Sequence, residues 1–274
     1  MGRLIFAPRL QQLADFTKII RTTDRVETRL TLFQTVTEMS EEEVKDLLYN
    51  GLLPLESSVD TWEKALADTK IIGIESCIRE TLTTLQCHYP CRDELMVELY
   101  PMSAQDQFGR DKLRGVSGWT NCDGATLHFI VYPAADTIPS LRSTVVHEYH
   151  HYYRIRTLFR GHNDTSLLER LVSEGMAEHF VTEVLGDSAR GPYSRALSHC
   201  EARILWQQVY RQRVSLRGDD NVNPYVFGKG TSNLPLWAGY AMGYYLVNWY
   251  RQSHPKVSVS SLTRLEPECF LPLG

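Results

Sequence analysis

Apolar residues recur at helical intervals through the first third of the chain. Leu13, Phe16, Ile19 and Ile20 fall on one face, because side chains three and four apart stack above one another on a helix. Ser40-Glu41-Glu42-Glu43 is a cap followed by acidic first-turn residues and leads into Val44, Leu47 and Leu48. Asp60 or Thr61 caps a further helix, and Gly73 to Leu85 carries Ile74, Cys77, Ile78, Leu82 and Leu85 at the same spacing. None of these residues carries chemistry, so 1–90 is expected to be a helical N-terminal region that packs on the remainder.

After Pro90 the apolar period shortens to that of a strand. Glu94 to Pro101 and Ala125 to Pro133 each read as a strand stopped by proline. The glycine-rich segment between them, Arg114 to Asn121, is a third strand or a loop. An edge strand of such a sheet could hold an extended peptide by main-chain hydrogen bonds, or the sheet could serve packing alone. Ile138 to about Phe159 is then one long helix, Gly161 to Thr165 a turn, and Ser166 or Thr165 the cap of a second helix through Leu167, Leu171, Met176 and Val181. Tyr193 to Val214 reads as another amphipathic helix, Arg217 to Asn233 as a polar surface loop, and a last helix starts near Leu236. The expected class is α+β, mainly helical, with a small sheet preceding a two-helix site inside a domain spanning 91–274.

Composition narrows the function classes. With 43% hydrophobic and 23% charged residues the chain can bury a core and is not expected to be disordered. A net charge of -4 with scattered Lys and Arg argues against nucleic acid as a main partner. The longest weakly polar run, Leu236 to Val247, falls short of the ~20 residues that span a bilayer. Met1 to Pro8 holds too short an apolar run for a secretory signal, and Phe6 stands where myristoylation wants Ser or Thr. A soluble, cytoplasmic protein is expected. Six irregularly spaced cysteines favour reduced thiols. Cys77, Cys87, His88 and Cys91 could form a second metal site, although Pro90 interrupts a non-standard spacing.

The chemistry concentrates on the two central helices. His147-Glu148-Tyr149-His150-His151 contains an HExxH, which on a helix puts two imidazoles on one face and a carboxylate beside the first. That set can grip one metal ion and take a proton from a water it activates. Catalytic zinc wants a third protein ligand. Ser173-Glu174-Gly175-Met176-Ala177-Glu178 places Glu174 and Glu178 four apart on a helix that otherwise reads as core. Inward carboxylates there are costly unless paired, and a metal or a metal-bound histidine would pair them. Either Glu174 or Glu178 could be the ligand, and Gly175 and Ala177 would let the two helices approach closely. His150 and His179 point elsewhere on their helices, to packing or surface.

HEYHH followed by EGMAE resembles the gluzincin pattern. In detail it is similar to a family of predicted Zn-dependent proteases, a domain of unknown function that shares both motifs and a segment corresponding to Trp237-Ala238-Gly239-Tyr240-Ala241-Met242-Gly243-Tyr244. The likeness covers roughly Gly115 to Val247. It implies Zn2+ held by His147, His151 and Glu174, Glu148 as general base and then acid, and Glu178 orienting His147. A phenol on the last helix, Tyr240 or Tyr244, could support the oxyanion, or both could be core. The expected function is a zinc metallopeptidase acting on a peptide or protein substrate through a metal-activated water. The alternative is a non-catalytic peptide-binding or chaperone-like module, and a third possibility is a hydrolase of non-peptide amides.

Overall fold

A computed structural model describes residues 2–21, 26–121, 123–158, 165–228 and 233–272. Chain contacts divide it into two compact units. One comprises Met1–Asn121 and Ala125–Val145, the other Cys122–Gly124 and Val146–Gly274.

The first unit holds a four-stranded sheet in the order β1-β2-β4-β3: β1 (Leu4–Phe6), β2 (Leu95–Pro101), β3 (Val116–Thr120) and β4 (Thr126–Val131). β1, β2 and β4 run parallel, while β3 pairs antiparallel with β4. The Arg114 to Asn121 segment is thus a strand, entered through left-handed residues at Arg114 and Gly115. Five helices precede or follow these strands in sequence: α1 (Arg9–Ile20), α2 (Val26–Thr37), α3 (Glu41–Tyr49), α4 (Val59–Ile72) and α5 (Ile74–His88). Ser40 and Glu43 form a reciprocal capping box on α3. The cap of α4 is Ser58, which accepts from the Thr61 N–H, and not Asp60 or Thr61. Leu13, Phe16, Phe33, Trp62 and Tyr100 build the core, with Phe16 edge-on to Phe33 and Trp62. Ile19 lies 41% exposed and does not join that face. One buried ionic cluster crosses the sheet: Glu98 accepts from Arg9 and Tyr100, and His128 stacks on Trp119 beside it.

The second unit contains most of α6 (Ile138–Leu158), with α7 (Leu167–Leu185), α8 (His199–Leu205), α9 (Asp219–Phe227), α10 (Ala238–Ser253) and α11 (Val259–Leu262). Ser166 caps α7 by accepting from the Glu169 N–H. The expected turn lies, except for Thr165, outside the described residues. The span from Tyr193 to Val214 is not one helix: a 3-10 turn at Pro192–Arg195 precedes α8, which ends in a π-helical turn at Trp206–Tyr210. Arg217 to Gly228 is mainly helix α9 rather than loop, because Val222 and Val226, both 1% exposed, pack into the core despite Pro224; Lys229 to Ser232 lie outside the described residues. Gly175 does allow a close helix approach, but to α10. A Cβ on Gly175 would meet the Gly243 carbonyl oxygen at 2.1 Å, and one on Gly243 the Leu171 carbonyl oxygen at 1.8 Å, so α7 and α10 touch backbone to backbone. Among the described residues no helix is long and apolar enough to cross a membrane.

Candidate metal centre

His147 and His151 occupy successive turns of α6, and Glu174 and Glu178 successive turns of α7. His147, His151 and Glu174 face one place, and Glu178 backs His147. His147 Nε2 lies 3.0 Å from His151 Nε2 and 3.1 Å from Glu174 Oε2, and His151 Nε2 is 3.6 Å from that oxygen. His147 Nδ1–H donates to Glu178 Oε1 at 2.8 Å, and the second oxygen of Glu178 accepts from the Gly191 N–H at 2.8 Å. His151 Nδ1 lies 3.1 Å from Ser173 Oγ. With both Nδ1 atoms turned outward to partners, the two imidazole Nε2 atoms and a carboxylate oxygen converge.

These three atoms can share a ring hydrogen or a cation between them. Burial alone would hold the His147 pKa down, but hydrogen bonds to Glu174 and Glu178 and the nearby carboxylates push it well up. For Glu174 burial acts upward, and the neighbouring His151 and His147 overcome it and hold the carboxyl far below the usual range. Ligands about 2.0–2.1 Å from one tetrahedral ion lie roughly 3.3 Å apart. The donor triangle of 3.0, 3.1 and 3.6 Å fits that size, and two imidazoles with one carboxylate are a zinc donor set. Glu148 is buried next to this group, and its charge bears on His147, Tyr193 and Tyr240.

The family profile described as "Predicted Zn-dependent protease (DUF2268)" matches residues 74–272. The chain belongs to this family. Two uncharacterized relatives from Bacillus subtilis (strain 168) are similar to it: YjfC, 28% identical over 166 residues, covering 58% of this chain and 54% of the relative, and YjaZ, 29% identical over 133 residues, covering 48% and 50%. The chain therefore spans about half the length of the curated relatives it matches. No solved structure matches it. The span common to the DUF2268 family contains every donor described above.

Other candidates fall into place around the centre. Tyr240 is half-buried; burial and then the Glu174 charge push its phenol well up, so it keeps its proton. Tyr244 is packed between His179 (ring centroids 4.4 Å apart, stacked) and the Arg190 guanidinium (4.1 Å), which engages its ring on both sides. His179 is buried and held neutral, its pKa lowered to about 4 by burial; its Nε2–H donates to the Tyr244 carbonyl, and Arg251 donates to its Nδ1. His150 is buried, with Nε2 3.1 Å from Thr263 Oγ1. The cysteine set does not assemble: Cys77 is buried, Cys87 is exposed, His88 Nδ1 binds the Thr84 carbonyl, and His147, His151 and Glu174 form the one metal-sized cluster among the described residues.

Two residues at the centre carried no signal in the sequence. Tyr193 places its ring edge-on to His147, with centroids 5.5 Å apart and its hydroxyl 3.4 Å from Nδ1. Gly191 supplies the N–H that fixes Glu178. Tyr193 falls in a 3-10 turn and not in the long helix expected to begin there, Gly191 caps that turn, and their contacts lie 46 and 13 residues away along the chain.

Proposed function

We propose that this chain is a zinc-dependent peptidase whose centre is His147, His151 and Glu174. The observation that supports it most is the convergence of His147 Nε2, His151 Nε2 and a Glu174 oxygen, 3.0 to 3.6 Å apart, next to a buried Glu148. Zinc, when bound, would polarise a scissile carbonyl and acidify a water. Glu148 takes that proton and returns it to the leaving amine. Glu178 holds the Nδ1 hydrogen of His147 and keeps Nε2 turned inward, with Gly191 and Tyr193 bracing the pair. The protonated phenol of Tyr240 donates to the substrate carbonyl oxygen as negative charge develops there. Tyr244, held between His179 and Arg190, serves packing in this reading.

The test is a peptide-library digest with parallel zinc analysis. The purified protein is expected to hold one zinc and to cleave peptides, His147→Ala to lose the zinc, and Glu148→Gln to keep it while turnover falls about 10^3-fold. Cleavage that persists in Glu148→Gln excludes this base. Absence of zinc from the native protein sinks the metal assignment, and tight peptide binding without Glu148-dependent cleavage replaces the enzyme with a binding module.

A further inference from the structure

Arg170 precedes Glu174 by four residues and Glu178 by eight on α7, so the three share one helix face. α10 runs beside α7 in the same direction: Gly243 abuts Leu171 and Gly175, and the next carbonyl, of Tyr244, accepts from His179. Tyr240, one turn before Gly243, therefore stands at the level of the turn joining Arg170 to Glu174. Its phenol feels both groups, since after burial Glu174 raises its pKa and Arg170 lowers it.

Arg154 on α6 and Arg170 on α7 are engaged differently. Arg154, 1% exposed, gives Nε and Nη2 to the two oxygens of Glu169 and Nη1 to the Thr263 carbonyl. Arg170 has one side-chain partner among the described residues, Asp219 Oδ1 at 3.3 Å, and that aspartate side chain is 79% exposed. Such a long, solvated pair is weak and exchangeable. A guanidinium has five N–H donors in a planar fork, so Arg170 keeps most of its donors available one helical turn from a proposed zinc ligand. Glu148, Glu174 and Glu178 make the centre acidic, and a cation on the Glu174 face of α7 would let an anionic group approach.

We propose that Arg170 forms an anion subsite next to the metal centre and holds a carboxylate of the substrate, either the C-terminal carboxylate of a peptide or an acidic side chain close to the scissile bond. The subsite deepens the zinc peptidase reading and rests on it. Arg170 exchanges its single contact with Asp219 for a two-point pairing with the substrate carboxylate, and Tyr240 stands on the same side to meet the reacting carbonyl.

Zinc-loaded Glu148→Gln protein is immobilised and exposed to three N-acetylated pentapeptide libraries: free acids without Asp or Glu, neutral C-terminal amides, and amides carrying one Asp or Glu. Retained peptides are quantified by mass spectrometry. One charged library is expected to be retained roughly 10- to 100-fold over the neutral amides. Arg170→Gln should erase that preference at unchanged zinc content, and Asp219→Asn should strengthen it. Retained free acids assign the C-terminal carboxylate, and retained acidic amides assign a side chain. Equal retention of all libraries, or a preference that survives Arg170→Gln, overturns the subsite. Because the readout is binding, the two readings fail separately. Arg170-dependent selection with no cleavage by the wild-type protein removes the peptidase and leaves the subsite, whereas Glu148-dependent cleavage without anion selection does the reverse.

Discussion

Around Glu98, in the first unit, the carboxylate oxygens face hydrogen donors: Arg9 gives two N–H groups to Oε1, Tyr100 gives its O–H to Oε2, and His128 Nδ1 lies 3.1 Å from that same oxygen. Around Glu174, in the second unit, the nearest polar atoms are two imidazole Nε2 atoms whose rings spend their Nδ1 positions on Glu178 and Ser173. Both clusters are buried and combine glutamate with histidine. The first pairs its carboxylate with a guanidinium and a hydroxyl. The second gathers two ring nitrogens and a carboxylate oxygen at one point of a size that could hold a metal ion. Burial and residue type do not separate a structural ion cluster from a candidate metal centre; the convergence of ring nitrogens on one carboxylate oxygen does.

The contrast can be broken most forcefully at the closed cluster. Glu98→Ala strands the Arg9 charge and should cost about 3–5 kcal/mol of stability, read by denaturant unfolding, while zinc stoichiometry stays unchanged. A loss of zinc in that variant would show that the two clusters are not independent. Acid separates them next. Burial acts to raise the Glu98 pKa, but the His128, Tyr100 and Arg9 partners hold it at about 2 against an ordinary 4.5. A carboxylate with a depressed folded pKa stabilises fully above 4.5 and loses that contribution as pH falls toward 2. Wild type should therefore lose about 3 kcal/mol more than Glu98→Gln between pH 5 and 2, whereas zinc should leave at higher pH, as protons compete for two imidazoles. Zinc still bound after the Glu98 contribution has gone would contradict this order. The smallest expected effect is at Glu178: its change to Gln leaves an acceptor for His147 Nδ1–H but removes the charge, so zinc affinity should fall roughly 10- to 100-fold in a chelator competition. Unchanged affinity would reduce Glu178 to packing.

What the sequence made legible follows from range along the chain. His147 with His151, and Glu174 with Glu178, are four-residue relations fixed by helix geometry, and their two helices stand out by apolar period and by the Ser166 cap. β2 and β4 were readable from β-rich runs ended by proline. β1 was not, because three residues carry no period and Leu4 pairs with Leu95, far along the chain. α9 was hidden by Asp219, Asp220, Asn221, Asn223 and Pro224, whose local preferences oppose a helix that Val222 and Val226 hold by burial. The close approach permitted by Gly175 was visible, but its partner was not, since a glycine announces contact without naming the other surface. Tyr193 takes its place in the turn after α7, and Arg170, on a legible helix, meets its partner Asp219 at the start of the hidden α9.

The Gly175–Gly243 contact has a mechanical meaning. Side chains between packed helices act as a compliant layer that can change rotamer and absorb a small shift, and here that layer is missing. Glu174 sits one residue from the contact on one helix and Tyr240 one turn from it on the other, so carboxylate and phenol are mounted on a single stiff joint. A load applied to the phenol is passed to the carboxylate without damping, and neither glycine can gain a side chain unless both helices are displaced.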